Sequence, residues 1–198
     1  MKSFLIATLL LAVPVAALAR QSDPPPEDPL VRGRTEIGLR VGVGFGMHLW
    51  GGLPDSEFLA LGVDVAQVLT GPLPAGPLSG HFVIAGEFYP AIVFHEDAGT
   101  TFATSVAMMM RYHFAPGARV RPFISAGGGM VFSAGAIPRD ISRVNFTPQG
   151  GGGVTVVLRR DTLLSIEYRL HHMSDGVLTD YNPGVNSSVF LVGISWIR

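Results

Sequence analysis

His172 and Ser174 are the pair in this sequence best placed to do chemistry. They lie in Leu163-Leu164-Ser165-Ile166-Glu167-Tyr168-Arg169-Leu170-His171-His172-Met173-Ser174-Asp175-Gly176, where large apolar residues alternate with polar ones. Strand alternation puts Leu164, Ile166, Tyr168 and Leu170 on one face, and continuing the count adds His172 and Ser174 to it. Two residues apart on one strand face, their Cα atoms are about 6.6 Å apart, near enough for the side chains to hydrogen-bond. That is a base beside a hydroxyl nucleophile. Taken alone, His-x-Ser also fits a strand end where polar residues simply meet an interface. Ser165, Glu167, Arg169 and His171 point to the other face.

The elements that must position this pair read as strands throughout. Between Glu36 and Met47, the residues Ile37, Leu39, Val41, Val43, Phe45 and Met47 alternate with Glu36, Gly38, Arg40, Gly42, Gly44 and Gly46. Similar segments recur at 57–70, 79–95, 101–114, 120–134, 147–159, 162–173 and 187–197, separated by Pro/Gly/Asp-rich stretches. One face is large and apolar; the other is mostly Gly, Ala and Ser. A soluble sandwich would carry Lys and Glu on its second face, yet only 15% of the chain is charged. Small residues with a few embedded charges suit the crowded interior of a narrow closed barrel. The large residues then face lipid. The expectation is an all-β protein, an eight-stranded antiparallel transmembrane β-barrel, with a secreted sandwich or lipocalin-like barrel as the rival fold. A crowded, sparsely charged lumen speaks against a pore.

Domain organisation follows from the N-terminus. Residues 1–19 read as a signal peptide, with a basic start, an apolar run from Phe4 to Ala16 and the small-x-small site Ala17-Leu18-Ala19. Residues 20–34 read as a proline-rich extended linker and residues 35–198 as the barrel. The chain has no cysteine, which excludes disulfide scaffolds, thiol nucleophiles and Cys-ligated zinc. A net charge of −1 leaves no basic surplus for nucleic acid.

Other polar clusters carry less. Glu167 faces the lumen and is expected to pair with Arg169, Arg111 or Arg40, because buried charges need partners. His171 is expected in the lumen for the same reason. His95-Glu96-Asp97 matches no metal-ligand spacing, and Asp175 and Asp180 near Asn182 lack the ligand spacing of a calcium loop. Gly127 to Gly129 and Gly150 to Gly153 sit inside strand patterns with no following helix or lysine, so they are not phosphate loops.

The run His172-Met173-Ser174-Asp175-Gly176-Val177-Leu178, then Asn182-Pro183-Gly184-Val185-Asn186-Ser187 and a last strand to Trp196, resembles the lipid A deacylase family PagL. Asn145-Phe146-Thr147-Pro148-Gln149-Gly150-Gly151-Gly152-Gly153 and Glu167-Tyr168-Arg169 resemble it too, so the likeness covers roughly residues 144–198. It implies an eight-stranded barrel in the bacterial outer membrane and a carboxylic ester hydrolase. Such an enzyme removes the 3-O-linked acyl chain of lipid A with a serine nucleophile and a histidine base on the outer surface. The resemblance assigns Ser174 as nucleophile and His172 as general base. Asn186 stands where the family has a glutamate that orients the histidine; its carbonyl can accept from a histidine N–H but carries no charge to stabilise imidazolium. Asp175 stands where the family usually has an asparagine associated with the oxyanion. The expected oxyanion donors are therefore backbone N–H groups near Gly176 and Asn182. The implied partner is lipid A or lipopolysaccharide of the outer leaflet, with no nucleic acid and no cofactor, and a homodimer stays open. The alternative is a non-catalytic structural or lipid-binding barrel that has lost the full triad.

Overall fold

The computed structural model describes residues 28–49, 56–96, 99–138, 141–176, 178 and 184–198. The signal-peptide region, most of the proline-rich segment, and Asp180 and Asn182 lie outside them. Nine strands follow one another: β1 (Thr35–Gly46), β2 (Ser56–Val68), β3 (Gly80–Glu96), β4 (Gly99–Phe114), β5 (Val120–Ser133), β6 (Val144–Phe146), β7 (Gln149–Arg159), β8 (Thr162–Met173) and β9 (Val185–Ile197). All pairings are antiparallel, and the sheet closes because β1 pairs with β9 as well as β2. β6 and β7 share one position in the wall. β6 pairs with β5 at Met130–Phe132, and β7 pairs with it at Val120–Gly127. Between them stands Pro148, which has no N–H to give to a ladder, so the strand expected over 147–159 is broken there. The result is a closed eight-stranded antiparallel β-barrel.

Alternation sorts the side chains as the sequence leads one to expect. Along β1, Glu36, Gly38, Arg40 and Gly42 are buried while Ile37, Leu39, Val41 and Val43 are exposed. The lumen is narrow: a Cβ at Gly38 would overlap the Asp64 carboxylate, and one at Gly44 would overlap the Phe58 ring.

The lumen is not sparsely charged. Three arginines and three carboxylates, all buried, form a layer across its middle. Glu87 accepts from Arg111 at 2.6 Å and from Arg169 at 2.7 and 2.8 Å. Glu167 meets Arg169 at 2.8 Å and Arg40 at 3.1 Å, and Asp64 meets Arg40 at 3.1 Å and Arg111 at 3.2 Å. Of the expected partners of Glu167, Arg169 and Arg40 contact it, whereas Arg111 is taken by Asp64 and Glu87. Apolar clusters fill the lumen on either side of this layer. One contains Phe94, Ile137, Met173 and Leu191; the other contains Leu30, Val83, Met109 and Ile197.

Leu30 belongs to the segment read as a linker, whose described part docks into the end of the barrel. The Asp28 carboxylate accepts from Arg121 Nη1 at 2.5 Å, from Gly117 N–H at 3.0 Å and from Leu30 N–H at 2.9 Å, and lies 3.2 Å from His81 Nε2. Burial disfavours its charge, but the contacts with His81 and Arg121 outweigh that and hold the carboxyl well below the usual range.

Candidate active site

β8 and β9 run side by side in a register that sets His172 opposite Asn186 and Met173 opposite Val185. Ser174 lies one residue past the end of β8 but keeps strand geometry. It bridges to Phe146 of β6, with Phe146 N–H donating to Ser174 O at 2.7 Å and Ser174 N–H to Phe146 O at 3.1 Å. His172 N–H donates to Pro148 O at 3.1 Å. Both neighbours come from the interrupted wall position, so the break at Pro148 holds the backbone of the site.

Three side chains meet on the outer surface here. His172 Nδ1 lies 2.7 Å from Asn186 Oδ1, and His172 Nε2 lies 3.1 Å from Ser174 Oγ. The proton positions follow from a fourth group. Asn186 Nδ2 donates to the Leu49 carbonyl, which can only accept, so the amide oxygen must be the atom facing His172. Nδ1 of the imidazole therefore carries the hydrogen, and Nε2 is left as the acceptor for the Ser174 hydroxyl. Asn186 is buried, and its own carbonyl accepts from Met47 N–H at 2.8 Å, which ties the β1–β2 connection to β9. His172 and Ser174 are half-buried and reachable from outside. Gly184, at φ +70°, packs against the ring: a Cβ there would come within 2.8 Å of His172 Cε1, so the chain can pass so close only as glycine.

Ile166, Tyr168 and Leu170 are exposed below the trio on the same face, while Glu167 and Arg169 are in the lumen charge layer. His171 also turns inward, against Phe58, with ring centroids 5.9 Å apart. Gly176 follows a buried Asp175 and is itself exposed at φ +71°; Asn182, the other expected oxyanion residue, lies outside the described residues. Among the described residues, no group of three or more His, Asp or Glu side chains is arranged to hold a metal ion. His95 faces Thr100 Oγ1 at 3.3 Å. Sequence reasoning missed Leu49 and Met47, which act through backbone atoms that every residue possesses.

The family profile described as lipid A 3-O-deacylase (PagL) matches residues 74–195, more than half of the chain and all three of these side chains. The chain belongs to this family. No curated protein matches it. Among solved structures, it is similar to the outer-membrane enzyme PagL, at 17% identity over 80% of this chain and 97% of that one, with a TM-score of 0.55. It is also similar to the N-terminal β-barrel domain of OprF from Pseudomonas aeruginosa, at 12% identity over 84% and 98% of the two chains (TM-score 0.56). Neisserial surface protein A matches at 10% identity over 82% and 95% (TM-score 0.52). At these identities the likeness establishes the fold, a bacterial outer-membrane barrel. As a PagL-family barrel with eight wall positions, the chain brings the start of β1 at Thr35 and the end of β9 at Ile197 to one end and His172, Ser174 and Asn186 to the other. The first of these ends carries the two-residue turn Arg160-Asp161.

Proposed function

We propose that this protein is an outer-membrane serine esterase that removes the 3-O-linked acyl chain from lipid A lying against the barrel wall. The observation that carries the reading is the continuous hydrogen-bonded relay Ser174–His172–Asn186 on the outer face of a PagL-family barrel. Its surroundings suit a lipid. Leu170 pairs with Gly150, and Gly150 with Ala126, so the wall beside the relay carries small outward residues between the exposed side chains of Phe146 and Tyr168. An acyl chain can lie there.

In the proposed reaction, His172 Nε2 takes the proton of Ser174 as Oγ attacks the ester carbonyl. The tetrahedral oxyanion collapses, the sugar hydroxyl leaves with the proton returned by His172, and the acyl group stays on Ser174. Water, deprotonated by His172, then releases the fatty acid and restores the hydroxyl. Asn186 holds the imidazole in the tautomer this requires, and the N–H groups of Gly176 and Asn182 are the proposed oxyanion donors. The chemistry calls for no cofactor, and one chain supplies the whole relay, so no second copy is needed.

The decisive experiment is to express the chain in a membrane holding fully acylated lipid A and to measure the lipid mass. Loss of one 3-hydroxyacyl chain that disappears in Ser174→Ala supports the reading. An unchanged mass with the folded wild-type protein overturns it and leaves a non-catalytic barrel.

A further inference from the structure

The barrel end opposite the relay is basic along one continuous arc. Arg34 directly precedes Thr35, which exchanges backbone hydrogen bonds with Arg198 at 3.0 and 2.8 Å. Ile197, next to Arg198, donates to Asp161 O in the β7–β8 turn, where Arg159 and Arg160 also sit. Arg119, before β5, accepts from Val157 N–H at 2.8 Å. With Arg32, these residues span the rim beneath β5, β7, β8, β9 and β1. The β2–β3 connection on the far side, residues 69–79, has no charged residue.

Among the described residues, the exposed carboxylate on the arc is Asp161, in the turn with Arg159 and Arg160, so the arc keeps a positive excess. Arg32, Arg34, Arg159 and Arg198 are exposed and form no ion pair among the described residues. Asp28 is engaged by Arg121, and Glu36 is buried in the lumen. The charge balance inverts at the other end, where the described charged residues are Glu57, Glu96, Asp175 and Arg143.

We propose that this end faces the periplasm and that its arc binds the phosphate headgroups of anionic glycerophospholipids in the inner leaflet. Two features select that occupant. The arc borders the exposed apolar wall at Ile37, Val120 and Trp196, so its ligand must be acidic and already in the membrane. Exposed guanidinium groups match phosphate oxygens in a fork geometry, and they can sit at headgroup depth without leaving water. The depth is also consistent with the far end. From Arg160 to Ser174 is fourteen residues along a tilted strand, about 35 Å along the barrel axis. An apolar band about 25 Å tall then leaves Ser174 among the outer-leaflet headgroups when the arc sits among the inner ones. The arc sets the depth of the barrel, whatever chemistry Ser174 performs.

The test uses the full chain, with Trp50→Phe so that Trp196 is the only tryptophan, in vesicles mixing phosphatidylglycerol and phosphatidylcholine. Bromine is placed on the acyl chains of one lipid at a time. At low salt, brominated phosphatidylglycerol should be enriched around Trp196, and quench it, at least about threefold over brominated phosphatidylcholine at equal mole fraction. The preference should vanish in about 1 M salt and in the combined Arg34→Gln, Arg119→Gln, Arg159→Gln, Arg198→Gln variant. Heat-modifiable gel mobility verifies that the variant is folded; if it is not, the salt series on the wild-type arc decides. Equal quenching by the two lipids at low salt, a preference that survives high salt, or one retained in the folded variant overturns the proposal.

Discussion

β8 carries polar side chains on both of its faces, and the two sets are built differently. Inward, Glu167 and Arg169 join a layer of six full charges, each met by opposite charge at short range. Outward, His172 and Ser174 join Asn186 in a relay that among the described residues contains no carboxylate and is braced by the Leu49 carbonyl. The lumen can afford charge because closure surrounds every carboxylate with guanidinium groups. On the outer wall a neutral amide meets the imidazole through a hydrogen bond, with no ion to compensate. Inside, each charge is met by an opposite one; outside, hydrogen bonding fixes the orientation of an imidazole.

That contrast can be broken at either end. The largest effect is expected from Ser174→Ala, which should lower deacylation by about 10³-fold or more while leaving the fold intact, with His172→Ala nearly as severe because the two act as a unit. Lipid A mass spectrometry reads both, and activity retained without Ser174 would dissolve the outer half of the comparison. Next comes Glu87→Ala, which strands Arg169 and Arg111 and should cost about 3–5 kcal/mol, read as a lower urea midpoint of the reconstituted barrel. A midpoint unchanged from wild type would mean that the lumen layer contributes no stability.

Asn186→Ala should reduce turnover by about ten- to a hundredfold through a misaimed imidazole. Asn186→Glu sharpens the point. It brings in the charge that the relay lacks, but its carboxylate cannot donate to Leu49 O and would face that carbonyl instead, so turnover should fall below wild type. A rise above wild type would show that the relay wanted charge all along.

The smallest effect concerns Asp28. Its carboxyl is held below the usual carboxylate range in the folded chain, so its stabilisation is complete above the unfolded value of about 3.9 and is lost as pH falls below it. Hydrogen exchange at the Gly117 and Leu30 amides should be slow at pH 6 and lose protection at strongly acidic pH. In Asp28→Asn, protection should be weaker at pH 6 and no longer vary with that titration. Equal protection in both proteins at pH 6 would remove Asp28 as the anchor.

The strands were legible because alternation has a short period: each of Leu164, Ile166, Tyr168 and Leu170 repeats the same information about the β8 face. The same count separated His172 from His171. Pro148 shows the limit, since it lies within a run of strand-like residues and only its missing N–H opposite β5 divides that wall position. Asp64 stands singly among Gly, Ala and Val, and Glu87 between Gly86 and Phe88, and nothing nearby in the chain marks them as partners. Arg40 reaches Glu167 across 127 residues, and Arg121 reaches Asp28 across 93.

By itself the sequence determined which face each side chain takes, because a strand's period of two is a property of neighbouring residues. It also determined that the large apolar set must meet lipid, because the opposite set is mostly Gly, Ala and Ser, too small to be a solvated surface. Tertiary structure decided most of the contacts between distant strands. Register and closure set His172 opposite Asn186, bring the Leu49 carbonyl onto the amide, and pack three arginines among three carboxylates. Those contacts depend on where distant strands lie along one another, and a local pattern leaves that position open.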